Sequence, residues 1–176
     1  MNFDYLPDEL ILPILVDLPI LDLMHFCQTD KRIQNLCFDE RLWKQRVFNE
    51  FGHDQKHRNL TWRQFYTQLS NGQIRFIDVT YLGDYAGQIM VSYFDTFHQV
   101  KRSILLLLRS VLKVPIIKVS VDIKFYDKSD PTENFFRYLP DEQFGIAPSI
   151  RIENANPIYG PPIWNREFHL EVTSYF

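Results

Sequence analysis

The hydrophobic period of this chain changes at Gly72, and no other feature constrains the fold as strongly. Up to Gly72 apolar side chains recur at i, i+3 and i+4; beyond it they alternate along stretches rich in β-branched and aromatic residues. A helix returns to the same face every 3.6 residues and a strand every second residue, so one pattern cannot serve both elements. The fold class expected is α+β: an all-helical module ending near Gly72, then a small α+β domain over 73–176. The chain has 176 residues, 45% hydrophobic and 15% aromatic, enough apolar mass for one sizeable core or for a helical module plus one compact domain.

In the first part, Pro7 suits the first position of a helix, where its missing N–H would be unpaired anyway, and Asp8 and Glu9 face the positive helix end. Leu10, Ile11, Ile14, Leu15 and Leu18 form the apolar stripe of that helix. Pro13 within it predicts a kink or a late start, and Pro19 ends it. Asp22, Thr29 and Asp39 are the N-caps expected for three further helices, the last running from Glu40 to Phe51 and stopped by Gly52. Thr61-Trp-Arg-Gln64 matches a capping box, which opens a fifth helix reaching about Ser70.

The order Leu6, Pro7, Glu9, Leu10, Ile14, Leu15, Leu18, Pro19, Asp22, Leu23, Cys27, Lys31, Arg32, Leu36, Leu42 and Trp43 resembles the F-box family in both residue type and spacing. Ile33, where the family often has an aromatic residue, and Pro13 depart from it. The resemblance implies an F-box at 1–50 with a helical extension at 51–72. It also implies that Leu6, Pro7, Leu10, Ile14, Leu15, Leu18, Leu21 and Leu23 face a Skp-type adaptor, and through it a cullin, with Trp43 buttressing the module. Phe51-Gly52 and Thr61-Trp-x-x-Phe-Tyr66 further resemble F-box proteins of large DNA viruses.

Beyond Gly72, residues 74–81 and 89–93 read as two antiparallel strands joined by a turn at Gly83-Asp-Tyr-Ala-Gly87. Thr96 to Leu112 is helical, with Phe97, Val100, Ile104, Leu107, Leu108 and Val111 on one face, and Pro115 stops it. Val119 to Phe125 alternates cleanly, Ser149 to Glu153 is a further short strand, Asn154 to Pro162 is loop, and Phe168, Leu170 and Val172 mark a last strand. This ββαβ...β order resembles a β-grasp domain. Asp95 to Lys101 is similar to the start of the ubiquitin helix and Phe168 to Val172 to its closing strand, while an unrelated α+β domain of the same element order fits as well.

Composition narrows the function. The net charge of −3 comes from 8 basic against 10 acidic side chains up to Gly72 and 11 against 12 beyond it, so neither part carries the positive field that nucleic acid binding needs. The apolar run from Ile104 to Leu112 is broken by Arg109 and is far too short to span a bilayer. Lys101, Arg102, Arg109 and Lys113 read as the solvated outer side of a core helix. Cys27 and Cys37 have no Cys-x-x-Cys companion and fall at core-facing positions, which reads as two inert thiols in a reducing compartment, cytoplasmic or nuclear, in a host cell or a virion if the chain is viral. His53 and His57 are four apart but lack the further ligands of a structural zinc site, so they read as solvated loop histidines and no metal or other cofactor is expected. No nucleophile elbow, phosphate-cradling loop or dinucleotide fingerprint is present, and the chain reads as no enzyme.

The expected function is therefore adaptor work: docking a Skp-type adaptor of a cullin RING ubiquitin ligase and presenting a protein substrate for ubiquitylation. The alternative is a structural or assembly protein, such as a virion component, that packs through an F-box-like module. The loop from Asp127 to Pro148 and the strip from Asn156 to Trp164 are the expected substrate-recognition surface, with Phe135, Phe136, Tyr138, Tyr159 and Trp164 as aromatic anchors.

Overall fold

The computed structural model describes residues 5–112, 120–127, 134–136, 143–146, 148–153, 156–165 and 168–175. The chain divides into two compact units, Met1–Gly72 and Gln73–Phe176, and the architecture is α+β.

The first unit holds α1 (Asp8–Asp17), α2 (Ile20–Phe26), α3 (Lys31–Leu36), α4 (Glu40–Phe51) and α5 (Trp62–Ser70). Pro7 lies just outside α1, as its N-cap with extended ψ of 150°, and its carbonyl accepts from the N–H of Leu10 and Ile11. The helix neither starts late nor stops at Pro13 but runs through it. Pro13 offers no N–H to the Glu9 carbonyl, and because both residues are exposed, water can take the place of that bond. Leu18, the residue before Pro19, is extended at ψ 140° and closes the helix.

Two of the three expected caps fall elsewhere. Pro19 is the N-cap of α2, so Asp22 sits within the first turn, where its charge still meets the positive helix end. Asp30 caps α3 by accepting from the N–H of Arg32 at 2.8 Å and of Ile33 at 3.0 Å, whereas the Thr29 hydroxyl turns back to the Phe26 carbonyl. A carboxylate is the better acceptor for two amides. Asp39 does cap α4, accepting from Arg41 N–H at 2.8 Å, and the Arg41 guanidinium that also hydrogen-bonds it holds its carboxyl below the usual aspartate range. Gly52, at φ 73°, ends α4, and the reciprocal Thr61–Gln64 capping box opens α5.

The second unit is one sheet with a helix. Its elements are β1 (Ile74–Tyr81), β2 (Asp84–Ser92), α6 (Phe97–Leu112), β3 (Ser120–Asp127), β4 (Asn134–Phe136), β5 (Pro148–Glu153), β6 (Asn156–Pro162), a short 3-10 turn (Ile163–Asn165) and β7 (Phe168–Tyr175). The strand order is β2-β1-β7-β3-β4-β5-β6. β1 runs parallel to β7, with Val79 opposite Leu170, and β3 pairs with β7 antiparallel along its whole length.

The hairpin turn lies earlier than expected: it is Leu82-Gly83, both with positive φ, between the paired Tyr81 and Asp84. Two left-handed residues match the right-handed twist of the strands they join. Asp84 to Gly87 already belongs to β2, where Ala86 is the extra residue of a bulge and Gly87 has φ 141°. A Cβ on Gly87 would come 3.0 Å from the Leu107 side chain, so that glycine also lets α6 lie close over the strand.

Ile77, Val79, Ile89 and Val91 from the hairpin pack against Phe97, Val100, Ile104 and Leu108 of α6, together with Leu170 and Val172 of β7. Val111, expected on the same face, is 48% exposed in the last turn of α6. Two stretches expected to be loop are not. The segment Asn156 to Pro162 is β6, an edge strand paired with β5, and edge strands tolerate its three prolines because one side of the ladder is unused. Part of the 127–148 stretch forms β4, and Phe144 is fully buried in the core, with its N–H donating to the Asp95 carbonyl at 2.7 Å. A Cβ on the neighbouring Gly145 would fall 2.2 Å from the Tyr93 ring, so only glycine fits that approach.

Candidate interaction surface

The helical module separates its apolar residues into those that hold it together and those it displays. Ile11 and Leu15 of α1 and Leu23 of α2 are completely buried, and they join Ile33, Leu36, Leu42, Trp43, Val47, Phe65 and Tyr66 in the core. Trp43 is 2% exposed: its indole N–H donates to the Cys37 carbonyl at 2.7 Å, and its ring leans on Tyr66 at 5.2 Å between centroids. On α1, Leu10 and Ile14 are 56% and 42% exposed and, four residues apart, share one flank of the helix. On α2, Leu21 is 72% exposed, with Ile20 and Met24 beside it on the same open side.

Of the residues expected to face a partner, Pro7, Leu10, Ile14 and Leu21 are exposed, and Leu6 and Leu18 are half-buried. Leu15 and Leu23 are corrections to that expectation. They fall in the same i, i+3, i+4 stripe, but that stripe is wide enough to enter the module's own core, and both are 0% exposed. Substituting Leu15 therefore tests folding and not docking.

The least expected residue of the module is Arg46. It is 3% exposed, and its Nη1 donates to the carbonyls of Val16 at 3.0 Å and Leu18 at 2.7 Å, where α1 runs out of internal donors. Its Nη2 pairs with Glu50 at 2.5 Å, and its guanidinium lies 5.3 Å from the centre of the Tyr66 ring. The Tyr66 hydroxyl donates to Glu50 at 2.7 Å, and burial, reinforced by that bond, pushes its pKa up. Sequence offered one signal for this role: an arginine between Trp43 and Val47, on the helix side that carries the core. Near the opposite end of α1, Arg32 binds the Asp8 carboxylate at 2.6 Å and the Leu6 carbonyl, which fixes the entry to the displayed face.

Cys27 and Cys37 are bonded to each other as a disulfide, with Cα atoms 5.9 Å apart. This corrects the reading of two independent inert thiols and removes the ground on which a reducing compartment was inferred. His57 is also corrected: it is 5% exposed and not a solvated loop residue. A groove of about 500 Å³ runs between α1 and α4, with Leu12, Val16 and Leu42 in its wall and Arg41 and Asn49 beside them. Among the described residues no group of three or more His, Cys, Asp or Glu side chains is gathered to hold a metal ion, and no helix is long and apolar enough to cross a membrane.

In the second unit the expected recognition aromatics do not share one setting. Trp164 is a core residue, 8% exposed, edge-on to Tyr93 at 5.4 Å with the Arg75 guanidinium over its ring at 5.1 Å, and so is not displayed. Phe135 and Phe136 lie in β4 and Tyr159 in β6, paired with Ile150. Tyr138 lies outside the described residues.

The comparison with known families falls on this same module. Residues 3–49 match the F-box-like family. The F-box-like domain spans α1 to most of α4, the part of the chain that carries the exposed apolar flank, and marks it as a protein–protein interaction module. No curated protein and no solved structure matches the chain.

Proposed function

We propose that the chain is a substrate receptor whose F-box-like domain docks a Skp-type adaptor, and through it a cullin RING ubiquitin ligase, in the cytosol or nucleus. The observation that carries this reading is the exposure of Leu10 and Ile14 on α1 and of Ile20, Leu21 and Met24 on α2, while Ile11, Leu15 and Leu23 of the same two helices are spent on the domain's own core. Burying such side chains contributes about 1.5–3 kcal/mol each when fully covered, enough for three to dominate a helical interface. The second unit would hold the protein to be modified. Its ββαβ...β order, with the last strand parallel to the first at the centre of the sheet, supports a β-grasp reading extended by the β5–β6 hairpin. The chain itself would contribute no catalytic group: a receptor acts by raising the effective concentration of a target lysine near the charged ubiquitin carrier.

The test is affinity purification and calorimetry with a purified Skp-type adaptor. Leu10→Ala, Ile14→Ala and Leu21→Ala together should weaken adaptor binding by about 100-fold or more while leaving the circular dichroism spectrum and melting point near those of the parent. Undiminished binding by the triple variant would remove the basis for this surface. Recovery of assembly proteins with no adaptor or cullin would replace the reading with the structural alternative.

A further inference from the structure

The Cys27–Cys37 bond joins the C-terminal ends of two short helices that differ in how deeply they are buried. Cys37, the C-cap of α3, is 3% exposed, and its carbonyl is held by the Trp43 indole. Its helix is capped by Asp30 and anchored by the buried Ile33 and Leu36. Cys27, the C-cap of α2, is only half-buried, and its helix has seven residues, one buried side chain (Leu23) and no side-chain cap at Pro19. Helices this short do not persist on their own propensity and take their stability from what they are attached to. Yet α2 carries Ile20, Leu21 and Met24, three of the five exposed large hydrophobic side chains on α1 and α2.

We propose that Cys27 and Cys37 form a reversible thiol–disulfide switch that sets the docking competence of α2. The inference rests on the docking role proposed above for its functional consequence, and on the geometry of α2 alone for its structural one. In the bonded state the anchorage of Cys37 is passed to the end of α2; in the dithiol state α2 keeps the buried Leu23, the half-buried Phe26 and the Thr29 hydroxyl's bond to the Phe26 carbonyl, but loses its covalent tie to the buried end of α3. Disulfides in glutathione-buffered compartments are characteristically transient and redox-sensing, which suits a switch on an interaction helix. The exchange partner is a low-molecular-weight disulfide such as oxidised glutathione. The thiolate of the more accessible Cys27 attacks one of its sulfurs, forming a mixed disulfide and releasing one glutathione thiolate. The Cys37 thiolate then attacks the Cys27 sulfur and releases the second, so that two protein thiols are oxidised, one glutathione disulfide is reduced and two protons leave. Reduction is the same sequence reversed.

The experiment uses the full chain equilibrated in oxidised or in reduced glutathione, with disulfide content read by alkylation and mass spectrometry. Reduction should speed amide exchange across Ile20 to Cys27 by about tenfold or more, leave α4 within about threefold, and weaken binding to a purified Skp-type adaptor by about tenfold. Cys27→Ala with Cys37→Ala should behave as the reduced form in both buffers. Thiols that remain free in oxidised glutathione, or equal α2 exchange in the two states, would overturn the switch. Redox-dependent exchange with unchanged adaptor affinity would overturn its effect on docking. If the adaptor binds neither state, the docking reading fails, and the exchange comparison alone decides whether the bond governs α2.

Discussion

Arg46→Met replaces a buried, charge-bearing clasp with an apolar side chain of similar length. The parent guanidinium makes two charge-assisted hydrogen bonds to the Val16 and Leu18 carbonyls at 3.0 and 2.7 Å, each of a kind that contributes about 1.5–3 kcal/mol. Its cationic position at the C-terminal end of α1 adds about 0.3–1 kcal/mol. Glu50 is 38% exposed, so the ion pair with it is screened and adds at most about 1 kcal/mol. Against these stands the desolvation of the guanidinium, several kcal/mol, made worse by an Nε with no hydrogen-bond partner among the described residues. The difference favours the parent by about 2–3 kcal/mol, because the variant also leaves carbonyls at a helix end without donors. Arg46→Lys should recover about half, since a single ammonium cannot span both carbonyls and Glu50 as a planar fork does. Native-state hydrogen exchange of the full chain measures this in place: α1 amides should exchange about 30- to 150-fold faster in the methionine variant, with α6 amides as the internal control. Exchange in α1 within about threefold of the parent would refute the assignment of Arg46 as the clasp of that helix.

Two further outcomes follow from the same packing. Leu15→Ala should destabilise the first unit by about 2–5 kcal/mol, and Leu21→Ala by no more than about 0.5 kcal/mol, as urea unfolding followed on the fluorescence of Trp43 and Trp62 in a Trp164→Phe background would show. The Asp39 carboxyl has a lowered pKa in the folded chain, chiefly through its hydrogen bond to Arg41, so its charge stabilises above the unfolded value of 3.8 and that contribution is lost as the pH falls through the lower folded value. Asp39→Asn, which keeps a capping side chain, should therefore differ from the parent near neutral pH and converge with it in acid, and a difference that persists below the folded pKa would contradict this.

Much of the first unit was legible because its signals are local. Gly52 and the Thr61–Gln64 box act within a few residues of themselves, and both sit where their chemistry requires. The change of period at Gly72 likewise coincides with the division of the chain into two units. What periodicity could not do was divide the stripe of α1 and α2 into supporting and displayed residues. Leu10 and Leu15 obey the same rule of spacing, and only the packing of α1 against α4 decides which is covered. The cysteine pairing was hidden for a related reason: ten residues of separation say nothing until two helix ends are brought together by the turn between them. In the second unit the prolines of β6 resembled loop chemistry, since the sequence does not say which strand will lie at an edge. Trp164 falls in a strip that reads as loop, because burial by distant strands leaves no short-range mark.

The place of β7 in the sheet has a consequence for how the chain is made. It is the last strand in sequence order, yet it lies between β1 and β3 and is the seam that joins the β1–β2 hairpin to the β3–β6 array. On the ribosome the helices of residues 1–72 are free to assemble early, whereas the two halves of the sheet wait, each with an open edge, until residues 168–175 emerge. The protein thus acquires its helical module before its sheet exists in folded form, and for that interval the nascent chain depends on whatever shields the unsewn strands.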